Sequence, residues 1–188
     1  MKTTEYYKII FPKGFTGRIA GIRKYIEAAL EKKYNFAGDP YTKQDVSTAM
    51  AGGLTYVLVA LSEGVEGKTI LDLGCGSTDP KIEHGNREIT RQYEPWISRA
   101  LHILGANVIG LDYGPLDGEQ FTHYQVDLRN PDSLSFLPDQ SVDLANARLL
   151  FSSCMMRGTP GASQAMQENL MPQLERILKP EGTFIYVG

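Results

Sequence analysis

A glycine-rich turn follows a short apolar run in the segment LDLGCG, residues 71–76. Gly74 and Gly76 lack Cβ atoms, so a ligand could approach the backbone of this turn closely. In an open α/β sheet, ligands bind at the carboxyl ends of the strands, near the point where the strand order reverses. The turn is therefore a candidate ligand site, although a tight strand-to-helix connection without a ligand would use the same residues.

Two carboxylates occupy similar positions after later apolar runs. Asp112 ends the run VIGLD, where an acid can accept hydrogen bonds from both hydroxyls of a ribose. Asp127 ends the run QVD, where a carboxylate can accept from the exocyclic amine of an adenine, with Leu128 against the ring. Either acid alone could be a solvated strand end, but three such strand ends in this order favour a nucleoside-binding site.

The segments around these residues alternate between strand-like and helix-like patterns. This alternation predicts one α/β domain over residues 1–188, with a doubly wound, mostly parallel, Rossmann-like sheet. A helical N-terminal extension over residues 1–64 would precede a cofactor-binding core over residues 65–188. The predicted strands cover residues 68–74, 106–112, 122–128, 141–147 and 182–188, and the predicted helices cover residues 18–33, 45–61, 95–104 and 162–178.

The sequence resembles the class I S-adenosylmethionine-dependent methyltransferases. The matching segments are DLGCGS, VIGLD, QVDL, SVDLANARLL and LERILKPEGTFIY. The resemblance implies that S-adenosyl-L-methionine is the cofactor, that Gly74 and Gly76 line its methionyl and ribose part, and that Asp112 holds the ribose. It also implies that Asp127 reads the adenine, and that Asp72 orients the loop or an ordered water near the amino group of the cofactor.

A nicotinamide dinucleotide is the nearest rival as a cofactor. Its fingerprint has the form GxGxxG, but Asp79 stands at the third glycine position. A carboxylate beside a pyrophosphate would repel it. S-adenosylmethionine has no phosphate and carries an ammonium group, so nearby acids suit it better.

The segment after the turn departs from the usual pattern of the family. Thr78 stands where a third glycine is frequent, and residues 78–94 are polar and contain Pro80 and Gly85. We therefore expect a loop where the family has a helix, and loops on α/β scaffolds often carry function. Imidazole is the side chain that ordinarily titrates near neutral pH, so His84 is the best candidate for a substrate contact. The candidates in this loop are His84, Arg87, Tyr93 and Glu94, and the alternative is a solvated loop whose charges face water.

The last predicted strand leaves an apolar sheet edge. The antiparallel hairpin that usually follows this strand in the family is missing, because the sequence stops at Gly188. An apolar edge strand invites pairing. We expect the edge to be covered by the segment EYYKIIF, residues 5–11, or by a second copy of the chain, unless the sequence is a shortened form.

Charge and cysteine content limit the classes of protein to which the chain can belong. The net charge is -3 and no cluster of Lys and Arg stands out, whereas nucleic-acid binders usually carry a basic face. Cys75 and Cys154 have neither the number nor the spacing of a disulfide framework or a zinc site, so no metal is expected. No signal peptide or apolar run of about 18 residues is recognisable, which favours a cytoplasmic protein.

These features together predict an S-adenosylmethionine-dependent methyltransferase. Its acceptor is not identified, but a small molecule or a protein is favoured over a nucleic acid. The sulfonium of the cofactor is already activated, so a general base is needed only for a protonated, weakly acidic acceptor, and no catalytic residue is assigned. The alternative is a non-catalytic S-adenosylmethionine-binding module or a partner-dependent subunit.

Overall fold

The computed structural model describes residues 15–78, 82–84, 87–89, 94–152 and 160–187. The strands are β1 (Thr69–Leu73), β2 (Ile82–His84), β3 (Arg87–Ile89), β4 (Asn107–Asp112), β5 (Thr122–Gln125), β6 (Val142–Arg148) and β7 (Leu178–Val187). The helices are α1 (Phe15–Tyr34), α2 (Pro40–Ala49), α3 (Thr55–Ala60), α4 (Trp96–Ile103) and α5 (Ala162–Ile177). A π-helical segment, Met50–Leu54, joins α2 to α3.

Five parallel strands form the main sheet, in the order β5-β4-β1-β6-β7. The central strand β1 has β4 on one side and β6 on the other, so the chain reverses its direction of travel across the sheet at β1. This is the order of a Rossmann-like fold. It confirms the fold prediction, and it brings the carboxyl ends of β1, β4 and β6 to one sheet edge.

Buried apolar side chains cover both faces of the sheet. Alternate residues of a strand point to opposite faces. On one face, Ile70 and Leu144 belong to a cluster with residues of α1, α2, the π-helical segment, α3 and α4. On the other face, Leu71 and Leu73 belong to a cluster with residues of α5. Because β1 is buried on both faces, it has apolar residues on each of them, as a central parallel strand requires, and Asp72 is a buried polar residue within it.

The second helix begins earlier than the sequence pattern predicts. The sequence pattern predicts this helix from residue 45, with a loop before it, but α2 begins at Pro40. The side chain of Asp39 caps this helix, because it accepts a hydrogen bond of 2.9 Å from the backbone N–H of Tyr41. Asp followed by Pro is a typical helix start, and the prediction gave too much weight to the loop character of this pair.

Part of the predicted loop over residues 78–94 forms an antiparallel hairpin instead. Strands β2 and β3 pair so that His84 lies opposite Arg87. The two residues between them are Gly-Asn, a pair typical of two-residue hairpin connections. The charged residues of the two short strands concealed this signal.

The last strand is longer than predicted, since β7 begins at Leu178 rather than at residue 182. Leu178 pairs with Val142, and a register shift between Val142 and Leu144 accommodates the residues in between. The strands β5 and β7 lie at the two edges of the main sheet. Residues 5–11 lie outside the described residues, so their pairing with β7 stays a prediction. Within the described ranges, every helix is too short or too polar to cross a membrane.

Candidate functional site

The glycine turn after β1 folds back onto the end of β4. The backbone N–H groups of Gly74 and Cys75 donate to the carbonyl oxygen of Leu111 at 2.8 and 3.1 Å. Gly74 and Gly76 have φ angles of 66° and 111°, which glycine adopts at little cost. A Cβ atom on Gly74 would lie 2.9 Å from Cδ1 of Leu150. The turn therefore requires glycine at position 74 for both its backbone angle and its packing.

The Asp112 carboxylate is bound to this turn. Its Oδ2 accepts a hydrogen bond of 2.9 Å from the N–H of Gly76, and its Oδ1 accepts one of 2.9 Å from the N–H of Gly114. Burial raises the pKa of Asp112, and the backbone hydrogen bonds act in the opposite direction. Each carboxylate oxygen has a second lone pair. The backbone of Tyr113 also contributes a hydrogen bond. Asp112 can therefore accept at least one further hydrogen bond, such as a ribose hydroxyl would donate.

The end of the glycine turn is hydrogen-bonded to the segment after β4. The Ser77 hydroxyl, the Thr78 hydroxyl and the Thr78 N–H all donate to the carbonyl oxygen of Pro115, at distances of 2.8 to 3.0 Å. The hydroxyl of Thr78 thus makes a contact that glycine could not make.

Asp72 joins β1 to α4 and β6. Its Oδ2 accepts from the hydroxyl of Ser98 at 2.6 Å, and its Oδ1 accepts from Nδ2 of Asn146 at 2.8 Å. The side chain is 2% exposed, and burial raises the pKa of Asp72 to about 6. These contacts fix the strand end from which the glycine turn begins.

The Asp127 carboxylate is held by Arg129. Oδ1 accepts from Nε and from the backbone N–H of Arg129 at 2.8 and 3.0 Å, and Oδ2 accepts from Nη2 at 2.7 Å. Hydrogen bonding to this guanidinium lowers the pKa of Asp127. Oδ2 keeps one lone pair, which can accept from the amine of an adenine. Leu128 is 5% exposed and belongs to the apolar cluster on the α5 side.

Sequence reasoning missed an aromatic residue next to Asp112. The Tyr113 ring is 48% exposed, and the guanidinium of Arg129 lies 5.6 Å from its centroid. Gln125 holds the backbone at this point, since its Nε2 donates to the carbonyl oxygen of Tyr113 at 2.9 Å. An exposed ring at this position can stack on a nucleobase. The signal was present in the sequence, as an aromatic residue directly after the acid.

The predicted substrate residues have different outcomes. His84 and Arg87 lie opposite each other on the hairpin, and the structure describes their backbone only. Tyr93 lies outside the described residues. Glu94 accepts a hydrogen bond of 2.6 Å from Nη1 of Arg99. Direct contacts of these residues with a substrate stay predictions.

Arg99, the partner of Glu94, is the centre of a buried cluster. Its side chain is 5% exposed and donates to the buried carboxylate of Glu119, with a shortest distance of 2.6 Å. Its guanidinium lies 4.1 Å from the ring centroid of Tyr34 and 4.3 Å from that of Trp96. This cluster connects the end of α1 to α4 and to the segment between β4 and β5.

Arg148, at the end of β6, is a second residue that sequence reasoning missed. A Cβ atom on Gly52 would lie 3.1 Å from its Nε, and one on Gly53 would lie 3.3 Å from its Cδ. The two glycines therefore let this side chain lie close to the π-helical segment. The positive charge of Arg148 lowers the pKa of Asp72, against the larger effect of burial.

No protein-family profile and no curated protein matches the sequence. Among solved structures, the chain is similar to a protein of Methanococcus maripaludis that carries a provisional assignment as an S-adenosyl-L-methionine-dependent methyltransferase. The two chains are 15% identical and superpose with a TM-score of 0.40, and the similarity covers 97% of this chain and 67% of that one.

Proposed function

We propose that the protein is an S-adenosylmethionine-dependent methyltransferase whose cofactor lies at the carboxyl ends of β1 and β4. One observation carries the proposal. The Asp112 carboxylate accepts a hydrogen bond from Gly76 of the glycine turn, at the point where the strand order of the sheet reverses, and it keeps an acceptor position for a ligand. This arrangement supports recognition of a ribose beside a turn that a ligand can approach closely.

The hydrogen bonds of the turn favour an adenosyl ligand without phosphates. Phosphate sites on glycine turns use backbone N–H groups that point at the ligand. Here the N–H groups of Gly74 and Cys75 donate to Leu111, and that of Gly76 donates to Asp112. The N–H of Thr78 donates to Pro115. These donors are engaged by the protein, which argues against a dinucleotide.

The residues of the site would bind and orient the cofactor. Asp112 would accept from the ribose hydroxyls, Tyr113 would stack on the adenine, and Asp127 would accept from its amine. The bound cofactor would supply an activated methyl group on a positive sulfur. Alignment of the acceptor with this group and exclusion of water would be the main tasks of the protein, and a general base is needed only for a weakly acidic acceptor.

The proposed acceptor is a small molecule or a protein. The chain has a net charge of -3, and the carboxyl edge of the sheet carries the acids Asp72, Asp112 and Asp127. Acids at the site would repel the phosphates of a nucleic acid. The cytoplasm is the proposed compartment, on the ground that two cysteines give no disulfide framework.

A second candidate function is a non-catalytic S-adenosylmethionine-binding module. It rests on the altered glycine turn, in which Thr78 replaces the third glycine and is clamped to Pro115. Isothermal titration calorimetry with S-adenosylmethionine and with NADH tests the cofactor, and binding of NADH alone would overturn the proposal. Release of S-adenosylhomocysteine in the presence of candidate acceptors separates the enzyme from the binding module.

A further inference from the structure

The hydrogen-bond partners of the buried Asp72 carboxylate are neutral. The structure gives it two donors, the Ser98 hydroxyl at 2.6 Å and the Asn146 amide at 2.8 Å. A buried carboxylate without an ion-pair partner favours its protonated form. Burial raises the pKa of Asp72 to about 6, so both forms are populated a little below neutral pH.

The amide of Asn146 suits either protonation state of Asp72. Asn146 is 0% exposed, and within the described residues its Oδ1 has no hydrogen-bond partner. In the present orientation its Nδ2 donates to the carboxylate. A half-turn of the amide would bring Oδ1 to the same position, where it could accept the proton of a carboxylic acid. Loss or gain of a proton on Asp72 therefore leaves a hydrogen bond to Asn146 available.

Charges at the carboxyl edge of the sheet act on Asp72. Asp112, at the end of β4, raises its pKa, whereas Arg148, at the end of β6, lowers it. Burial raises the pKa of the Cys75 thiol in the turn, and the charge of Asp72 raises it further. The packed helix α4 contributes the Ser98 hydroxyl. A cation bound at this edge would act on Asp72 in the same direction as Arg148.

We propose that Asp72 enables the site to discriminate between the sulfonium cofactor and its thioether product, by releasing a proton to solvent when the sulfonium binds. The inference rests on the proposed function. In methyl transfer the bond between sulfur and methyl carbon breaks, the methyl carbon bonds to the acceptor, and the sulfur keeps the electron pair. The product therefore carries one positive charge fewer than the cofactor. With that charge gone, Asp72 takes a proton back from solvent, and the attraction that favoured the cofactor is lost.

The pH dependence of the two affinities tests this inference. The affinity of the wild-type protein for S-adenosylmethionine and for S-adenosylhomocysteine is measured by calorimetry between pH 5 and pH 8. We expect the ratio of the two affinities to rise roughly three- to ten-fold in favour of S-adenosylmethionine as Asp72 loses its proton, since one pKa unit corresponds to a factor of ten. The titrations are repeated near pH 6 in buffers of different ionisation enthalpy, which gives the number of protons released when each ligand binds. Binding of S-adenosylmethionine should release more protons than binding of S-adenosylhomocysteine.

Two variants assign the effect to Asp72. Asp72→Asn keeps the shape of the side chain but cannot ionise, so the affinity ratio should lose most of its dependence on pH. Asp143→Asn is the matched control, because Asp143 belongs to β6 but binds the backbone of Thr69 at the amino end of β1, together with Lys179. This control should keep the wild-type pH dependence.

Each outcome decides the inference. If both ligands bind but their affinity ratio is flat with pH and both release equal numbers of protons, the role of Asp72 is wrong and the proposed function stands. If neither ligand binds at any pH, the proposed function fails and the inference fails with it. If Asp72→Asn does not fold, the proton count of the wild-type protein still decides the question.

Discussion

The backbone N–H of Gly76 lies 2.9 Å from Oδ2 of Asp112 and donates a hydrogen bond to it. Through this bond the end of β4 orients the glycine turn that follows β1. The acid therefore has two tasks in the proposed site, since it positions the turn and offers its remaining lone pairs to a ribose. A substitution at this position should affect binding more than the loss of one ligand contact alone.

We predict that Asp112→Ala weakens the binding of S-adenosylhomocysteine by about 1–3 kcal/mol, the range for lost hydrogen bonds to a charged group. Calorimetry measures the affinity, and a thermal melt tests whether the variant is folded. Asp132→Ala is a suitable control, because Asp132 is an exposed acid in a turn distant in sequence from the glycine turn. An unchanged affinity in Asp112→Ala would remove this residue from the site.

We predict that Asp127 recognises the exocyclic amine of the cofactor. The wild-type protein should bind S-adenosylhomocysteine more tightly than S-inosylhomocysteine, which lacks that amine. In Asp127→Ala the two ligands should bind with similar affinity, because the acceptor on the protein is gone. A preference for the adenosyl ligand that persists in this variant would contradict the assignment. Arg129→Gln separates the effect of the ion pair from that of the acid.

We predict that Gly53→Ala destabilises the protein by roughly 1–3 kcal/mol, the usual range for overpacking a core. The new Cβ atom would overlap Cδ1 of Ile97, so the side chain of Ile97 must move. Gly21→Ala is the matched control, since Gly21 is also helical and a Cβ atom there would meet nothing within 4 Å. The control should gain roughly 0.5–1 kcal/mol from helix propensity. Chemical denaturation of both variants measures the difference, and equal stabilities would contradict the packing argument.

We predict that the wild-type protein loses stability relative to Asp72→Asn as the pH rises from about 4 to about 6. The pKa of Asp72 is raised from 3.8 to about 6 in the folded state, so in this window the folded protein binds more protons than the unfolded one. The contribution is fully present below the lower value and is lost as the pH rises through the upper one. Its size is on the order of 2–3 kcal/mol. Urea denaturation of both proteins across this window checks the sign, and parallel curves would contradict it.

The parts of the site that could be predicted depend on local sequence. Gly74, Gly76 and Asp112 follow apolar runs that form buried parallel strands, and the sheet order then brings the strand ends together. For this reason the sequence places the glycine turn and Asp112 at the same edge of a parallel sheet, and the structure adds the strand order and the hydrogen bond between Gly76 and Asp112.

The missed contacts depend on backbone conformation outside the strands. Arg129 donates hydrogen bonds to Asp127, which lies two residues before it, because β5 ends at Gln125 and the chain then turns. Glu94 reaches Arg99, which also binds Glu119, through a cluster that assembles only when α4 packs against the segment between β4 and β5. No local pattern specifies such pairs.

The partners on β6 could have been found from strand alternation. Asn146 and Arg148 lie two and four residues after Leu144, so their side chains point to the same face of the sheet as Leu144. This face packs against the helices α1 to α4. A polar residue on a buried face needs a partner. The Asn146 partner is Asp72, which lies beside it in the register of β1 and β6.

The π-helical segment also determines which residues of the α2–α3 helix face the core. Four buried residues, Val46, Met50, Leu54 and Leu58, recur at intervals of four along α2, Met50–Leu54 and α3. In an uninterrupted α-helix such a series drifts by about 40° at each step, so its last member would point about 120° away from its first. The wider π turn absorbs part of this drift and keeps the series aimed at the core. Deleting one residue from Met50–Leu54 would bring Leu58 eleven residues after Val46, an interval that an uninterrupted α-helix places within about 20° of the same direction. The deletion should therefore convert the π turn to regular α-helix and leave both ends of the series facing the core.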